Sequence, residues 1–86
     1  MPTISVFYGI SIRMYWLDHS PPHFHAECVG EEAVIDIRKL NVIRGSLRGR
    51  ALALTLERAA IHREELLEDW HLCAAKRRPK SIRPLD

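Results

Sequence analysis

Eighty-six residues suffice for one domain and are too few for two, and a hydrophobic share of 47% excludes a disordered chain. No apolar run approaches the roughly 20 residues that a membrane-spanning helix requires. The net charge of +2 is unevenly spread: residues 76–86 carry +4 through Lys76, Arg77, Arg78, Lys80 and Arg83 against Asp86, which leaves −2 on the rest.

Thr3 to Tyr8 (TISVFY) is rich in β-branched and aromatic residues and reads as a strand that Gly9 breaks. Ile10 to Trp16 then alternates, with Ile10, Ile12, Met14 and Trp16 on one face and Ser11, Arg13 and Tyr15 on the other. The two segments form a hairpin turning near Gly9. LDHSPP, residues 17–22, is turn chemistry: Asp18 and Ser20 can bond local backbone, and Pro21 and Pro22 bias their predecessors to extended geometry. His23 to Cys28 reads as a third strand, Val29-Gly30-Glu31 as a turn and Glu32 to Arg38 as a fourth strand. Lys39-Leu40-Asn41 turns again into a short Val42-Ile43-Arg44.

From Ser46, a candidate N-cap, the period changes to that of a helix. The spacing predicts one long helix over about 48–75, stopped by Pro79, then an extended basic tail over 76–86 whose SIRPL end docks on the sheet or on a neighbour. At about 100° per residue, Leu52, Leu56, Ala59, Ala60, Leu66, Leu67, Trp70 and Ala74 fall in one core-facing stripe. Arg63 lands near its centre, where a guanidinium either snorkels outward or pairs with a sheet carboxylate, Glu27 or Asp36. Leu54, Ile61 and Leu72 form a thinner stripe opposite, which favours a helix-mediated homodimer or a partner surface. The whole chain, 1–86, is thus expected to be a single α+β domain. It would comprise an antiparallel sheet of four to five strands over about 3–44, then one long C-terminal helix packed on one face.

The candidate working face lies in SPPHFHAE, residues 20–27. Alternation along a strand points His23, His25 and Glu27 one way and Phe24, Ala26 and Cys28 the other, with successive same-face side chains roughly 6.5–7 Å apart. Three chemistries need such a set. A divalent metal would take His23, His25 and Glu27, or His19 as a third ligand. Proton transfer by the paired imidazoles, with Glu27 beside them and Arg13 or Arg63 holding a phosphate, would give a metal-free ribonuclease-like catalytic site. Simple recognition of an anionic ligand is the third. Against all three stands a half-exposed strand whose histidines merely bond water and neighbours. Lys76, Arg77, Arg78 and Lys80 could meet phosphates of a nucleic acid or an acidic partner, or serve only to keep the tail solvated. His62 reads as a boundary residue of the helix and His71 as a residue without a role. Cys28 and Cys73, far apart and outside any CxxC pair, read as reduced core thiols in a cytoplasmic protein without a secretory leader.

The segments PTISVFYGISIRMYWLDHSPPHFHAE, EEAVIDI, GSL followed by RAL, and HREELLEDW resemble the bacterial domain-of-unknown-function family 4160, from Pro2 to Leu85. PPHFHA is the most specific part, and the Lys39-Leu40-Asn41 turn is less glycine-rich than is usual there. The resemblance implies a small protein encoded beside another uncharacterised family, domain-of-unknown-function family 2442. Such two-gene pairs look like toxin–antitoxin modules, so the chain would be one half of a small bacterial pair, forming a complex with a small protein encoded nearby and acting on RNA or DNA, while the lack of a long apolar run implies no membrane role. It supplies no catalytic residue.

Overall fold

The computed structural model describes residues 3–16 and 19–82. Among them five strands precede two helices: β1 Thr3–Phe7, β2 Ile10–Arg13, β3 His23–Cys28, β4 Glu31–Asp36, β5 Val42–Gly45, α1 Gly49–Ile61 and α2 Arg63–Ala74. The strands form one antiparallel sheet in the order β1-β2-β3-β4-β5, so each pairs with its neighbour in sequence. Two tight turns set the register. Tyr8-Gly9 and Val29-Gly30 both have positive φ throughout (49° and 77°, 49° and 80°), the backbone twist that matches two antiparallel strands. The second turn places Cys28 opposite Glu31, Glu27 opposite Glu32 and His25 opposite Val34.

The alternation expected of Ile10, Ile12 and Met14 is met, since all three are buried together with Phe24, Ala26, Ala33, Ile35 and Ile37 on one face. Trp16, expected on the same face, is 51% exposed: β2 ends at Arg13 and the buried alternation runs only one step past it, to Met14. The short β5 is also as expected. It closes on Gly45, whose φ of +77° and close approach to Glu32 leave no room for a side chain. Asp36 ends β4 by accepting the amides of Arg38 and Lys39 at 2.8 Å each, which closes the turn into β5.

The single long helix of the sequence reading is two helices. The break is at His62 (φ −107°, ψ 23°), whose Nδ1 lies 2.6 Å from Glu65 Oε1 in the first turn of α2. That contact is between side chains and caps no backbone amide, since the His62 amide donates to Arg58 O at 3.0 Å; Glu64 and Glu65 suit the positive end of the helix dipole. Ser46 is not the N-cap. Its amide donates to Glu32 O at 3.1 Å, and α1 begins after Arg48 with no side-chain cap.

Across the break the buried face keeps one helical phase. The buried positions are Ala51, Thr55, Arg58 and Ala59 in α1, and Leu66, Asp69, Trp70 and Cys73 in α2. Leu52, Leu56 and Leu67 pack only at the edge of the core, while Ala60 and Ala74 are exposed. Arg63 is exposed at the start of α2 and not at the centre of a buried stripe. The second stripe is interrupted too: Leu54 packs against the core, Leu72 is half-buried and Ile61 is 57% exposed.

α2 ends with Lys76 in the left-handed region (φ 59°). The Arg77 amide donates to Leu72 O at 2.8 Å and the Lys76 amide to Cys73 O at 3.1 Å, a pairing that satisfies the last carbonyls of the helix. The chain then doubles back. Pro79 and Ile82 are buried, and the Ile82 amide donates to Ile4 O of β1 at 2.7 Å. Of the two docking places expected for the tail, this segment takes the sheet; Arg83, Pro84, Leu85 and Asp86, like Asp18 in the earlier turn, lie outside the described residues.

Candidate functional site

β3 brings His23, His25 and Glu27 to one face, opposite the core face held by Phe24 and Ala26. Each of the three has a different neighbour. The peptide before Pro21 is cis, and His23 Nδ1 lies 2.7 Å from Pro21 O. A carbonyl only accepts, so Nδ1 carries the hydrogen. The His23 ring sits 4.9 Å from the Trp70 ring of α2 and 5.3 Å from that of His25, and His23 is buried.

His25 stands edge-on to Tyr15, with ring centroids 4.3 Å apart, and its Nδ1 is 3.3 Å from Glu32 Oε2. Glu27 Oε1 is 3.3 Å from Arg13 Nη1. The register explains these pairs. Glu27 and Glu32 are direct cross-strand partners, which places two like charges face to face. Each carboxylate is answered from an adjacent position, Glu27 by Arg13 of β2 and Glu32 by His25. Arg13, Glu27 and Glu32 keep 38%, 45% and 52% of their side chains exposed, so the network forms a charged, partly open sheet surface.

The structure therefore brings together Arg13, His23, His25 and Glu27 and leaves Arg63 out. Neither carboxylate expected to pair with Arg63 does so: Glu27 faces Arg13, and Asp36 caps its own turn. As for metal binding, the described residues contain no group of three His, Cys, Asp or Glu side chains arranged to hold an ion. His19 and His71 are exposed, and the His62 ring pairs with the Glu65 carboxylate. In the basic segment, Lys76, Arg77 and Arg78 are exposed, whereas Lys80 Nζ lies 3.2 Å from Glu68.

Sequence reasoning missed Glu32 and Tyr15 as partners of His25. The signal for Glu32 was present, because a two-residue turn at Val29-Gly30 fixes the 27–32 pairing by counting outward. It also missed three buried polar residues on the helices. Thr55 returns its hydroxyl to Ala51 O at 2.7 Å. Arg58 lays its guanidinium 4.7 Å over the Phe7 ring and 5.9 Å from that of Tyr8. Asp69, 1% exposed, accepts the Lys80 amide at 2.7 Å through Oδ1. Burial pushes the Asp69 carboxyl up to about 6, aided by Glu68 and Glu65 and opposed by the Lys80 amide and ammonium. The buried Cys73 thiol is likewise pushed up by burial and by Asp69.

Residues 9–71 match the family model described as Domain of unknown function (DUF4160). The match spans well over half of the chain, from the first turn to α2, and includes every residue of the histidine network; the chain belongs to this family. No curated protein and no solved structure matches it. No helix among the described residues is long and apolar enough to cross a membrane.

Proposed function

We propose that this chain is a cytoplasmic protein-binding module, one component of a toxin–antitoxin-like gene pair, and that it engages its small partner through the sheet surface around Arg13, His25, Glu27 and Glu32. One observation carries this reading. The histidines are built into a network that holds them against Tyr15, Trp70 and Glu32, so the strand offers a fixed pattern of charges rather than two imidazoles open to a substrate. Arg13 and the two carboxylates Glu27 and Glu32 share this surface, a mixed pattern that suits a protein of complementary charge better than a uniformly anionic nucleic acid. Exposed Trp16 lies just beyond β2 and supplies the kind of aromatic anchor that dominates interfaces. The two free cysteines agree with a reducing compartment.

The test is co-expression with the protein encoded beside it, followed by affinity measurement with Glu27→Arg and Trp16→Ala. Each is expected to weaken the complex by about tenfold or more while leaving the fold intact by circular dichroism. Absence of any complex, or unchanged affinity in both variants, overturns the reading.

A second reading, a small metal-free endoribonuclease, is favoured by the 5.3 Å separation of the His23 and His25 rings and by the Nδ1–H of His23, which leaves Nε2 as its proton-accepting atom. Arg13, not Arg63, would then meet the phosphate. Cleavage of RNA by the purified chain, lost in His25→Ala, would establish it in place of the binding module.

A further inference from the structure

The two tight turns of the sheet set residue type against backbone. In sequential antiparallel order, the β1–β2 and β3–β4 turns fall at the same end of the sheet. Each has two residues of positive φ, a backbone that favours asparagine or aspartate before glycine. Here the first positions are Tyr8 and Val29, both at φ 49°. A bulky or β-branched residue in the left-handed region is strained. Neither side chain gains burial in return, since Tyr8 is 71% and Val29 73% exposed, even with the Arg58 guanidinium 5.9 Å from the Tyr8 ring. A methyl added to Gly9 or Gly30 would meet nothing within 4 Å, so at these glycines both turns stand clear of the rest of the chain. Strain without burial does nothing for the fold, and such outliers concentrate where a surface makes contact.

Beside these turns lies an open cleft of about 360 Å³, lined by Tyr8, Ile10, Cys28, Arg48, Arg50 and Leu54. The first turn of the sheet, the end of β3 and the start of α1 meet there. Its charge is one-sided. Glu31 Oε1 lies 3.5 Å from Arg48 Nε, but the first turn of α1 holds no acidic residue, which leaves two guanidiniums against one carboxylate. We propose that this end of the sheet is a docking surface, separate from the one around Arg13 and His25, for an acidic segment of another protein that carries a bulky apolar residue. The apolar residue enters the cleft against Ile10 and Leu54, with Tyr8 beside it and Val29 extending the contact beyond Cys28. Acidic neighbours of that residue meet Arg48 and Arg50. The excess of positive charge selects an acidic segment, and the concave shape suits an inserted side chain better than the plane of a lipid surface.

Fluorescence anisotropy on the full chain tests this with a labelled peptide that has a central phenylalanine between glutamates, beside a control with lysines in place of the glutamates. The acidic peptide is expected to bind and the basic one not to. Val29→Asn, Tyr8→Asn and Arg50→Glu should each weaken binding by about tenfold. Val29→Asn should also raise the urea midpoint by about 0.5–1 M, because asparagine accepts the left-handed backbone more readily than valine. Stability gained as binding is lost is the signature of a contact residue held against its backbone preference. A midpoint that does not rise in Val29→Asn, no binding of the acidic peptide, or equal binding by the native chain and all three variants overturns the proposal. So does tighter association with anionic phospholipid vesicles than with the peptide, lost in Tyr8→Asn, which would make this end of the sheet a membrane contact instead.

Discussion

Replacing Gly45 by alanine should be among the most damaging single-methyl additions in this chain. At φ +77° an L-residue pays about 1–2 kcal/mol for the left-handed backbone. The added Cβ would also overlap the Glu32 carbonyl oxygen, with Glu32 C and Ala33 Cα at 3.2 and 3.3 Å behind it. These are backbone atoms of the adjacent strand, so they yield only by displacing β4. That displacement would pull Glu32 O away from the Ser46 amide, a bond worth about 1 kcal/mol net. The total is on the order of 3 kcal/mol, a large fraction of the roughly 5–10 kcal/mol that holds a domain of this size. Gly30→Ala is the control: its φ is +80°, yet a Cβ there meets nothing within 4 Å. It should lose only the backbone term, about 1 kcal/mol, and the gain from a stiffer unfolded chain is common to both variants. In urea unfolding the two midpoints should differ by about 1–2 M, at a slope near 1 kcal/mol per M. Equal midpoints would show that β4 accommodates the methyl and that the contact with Glu32 is not what excludes it.

Arg58→Ala should cost on the order of 2–3 kcal/mol in urea unfolding, because it removes both a buried aliphatic stem and the cation over the Phe7 ring; Arg58→Met should restore all but about 1 kcal/mol by refilling the stem. Equal losses in both would mean that the charge, not the packing, holds this position. Asp69 gives a pH signature in stability. Its folded-state value, about 6, lies above the unfolded 3.8, so the folded chain binds the proton more tightly. This contribution is complete below pH 3.8 and is lost as pH rises to about 6, with an upper bound of about 3 kcal/mol. Asp69→Asn should therefore be more stable than the native chain at pH 7, with the advantage vanishing below about pH 4, as read from thermal midpoints across that range. An advantage that does not change with pH would sink this account.

What could be read in advance was whatever depends on short-range periodicity. Ile10, Ile12 and Met14 were legible as a buried row because an alternation of two needs no knowledge of the rest of the molecule. His23, His25 and Glu27 shared a face for the same reason, and the turn glycines marked the hairpins. Helical phase is less forgiving. A reading that followed the leucines placed Arg63 at the core, but the buried face is rotated from that stripe and runs through Ala51, Thr55, Arg58, Leu66, Asp69 and Cys73, so Arg63 emerges at the surface and Arg58 goes inside.

The chain's own letters thus determined its class, the order of its strands along the chain and the row of chemistry on β3. Tertiary structure alone decided which polar residues could be buried. Arg58 needed an aromatic ring brought from β1, and Asp69 needed an amide from a segment eleven residues farther on. Burial of a polar group is permitted by its partner, and the partner is known only once distant parts of the chain have met.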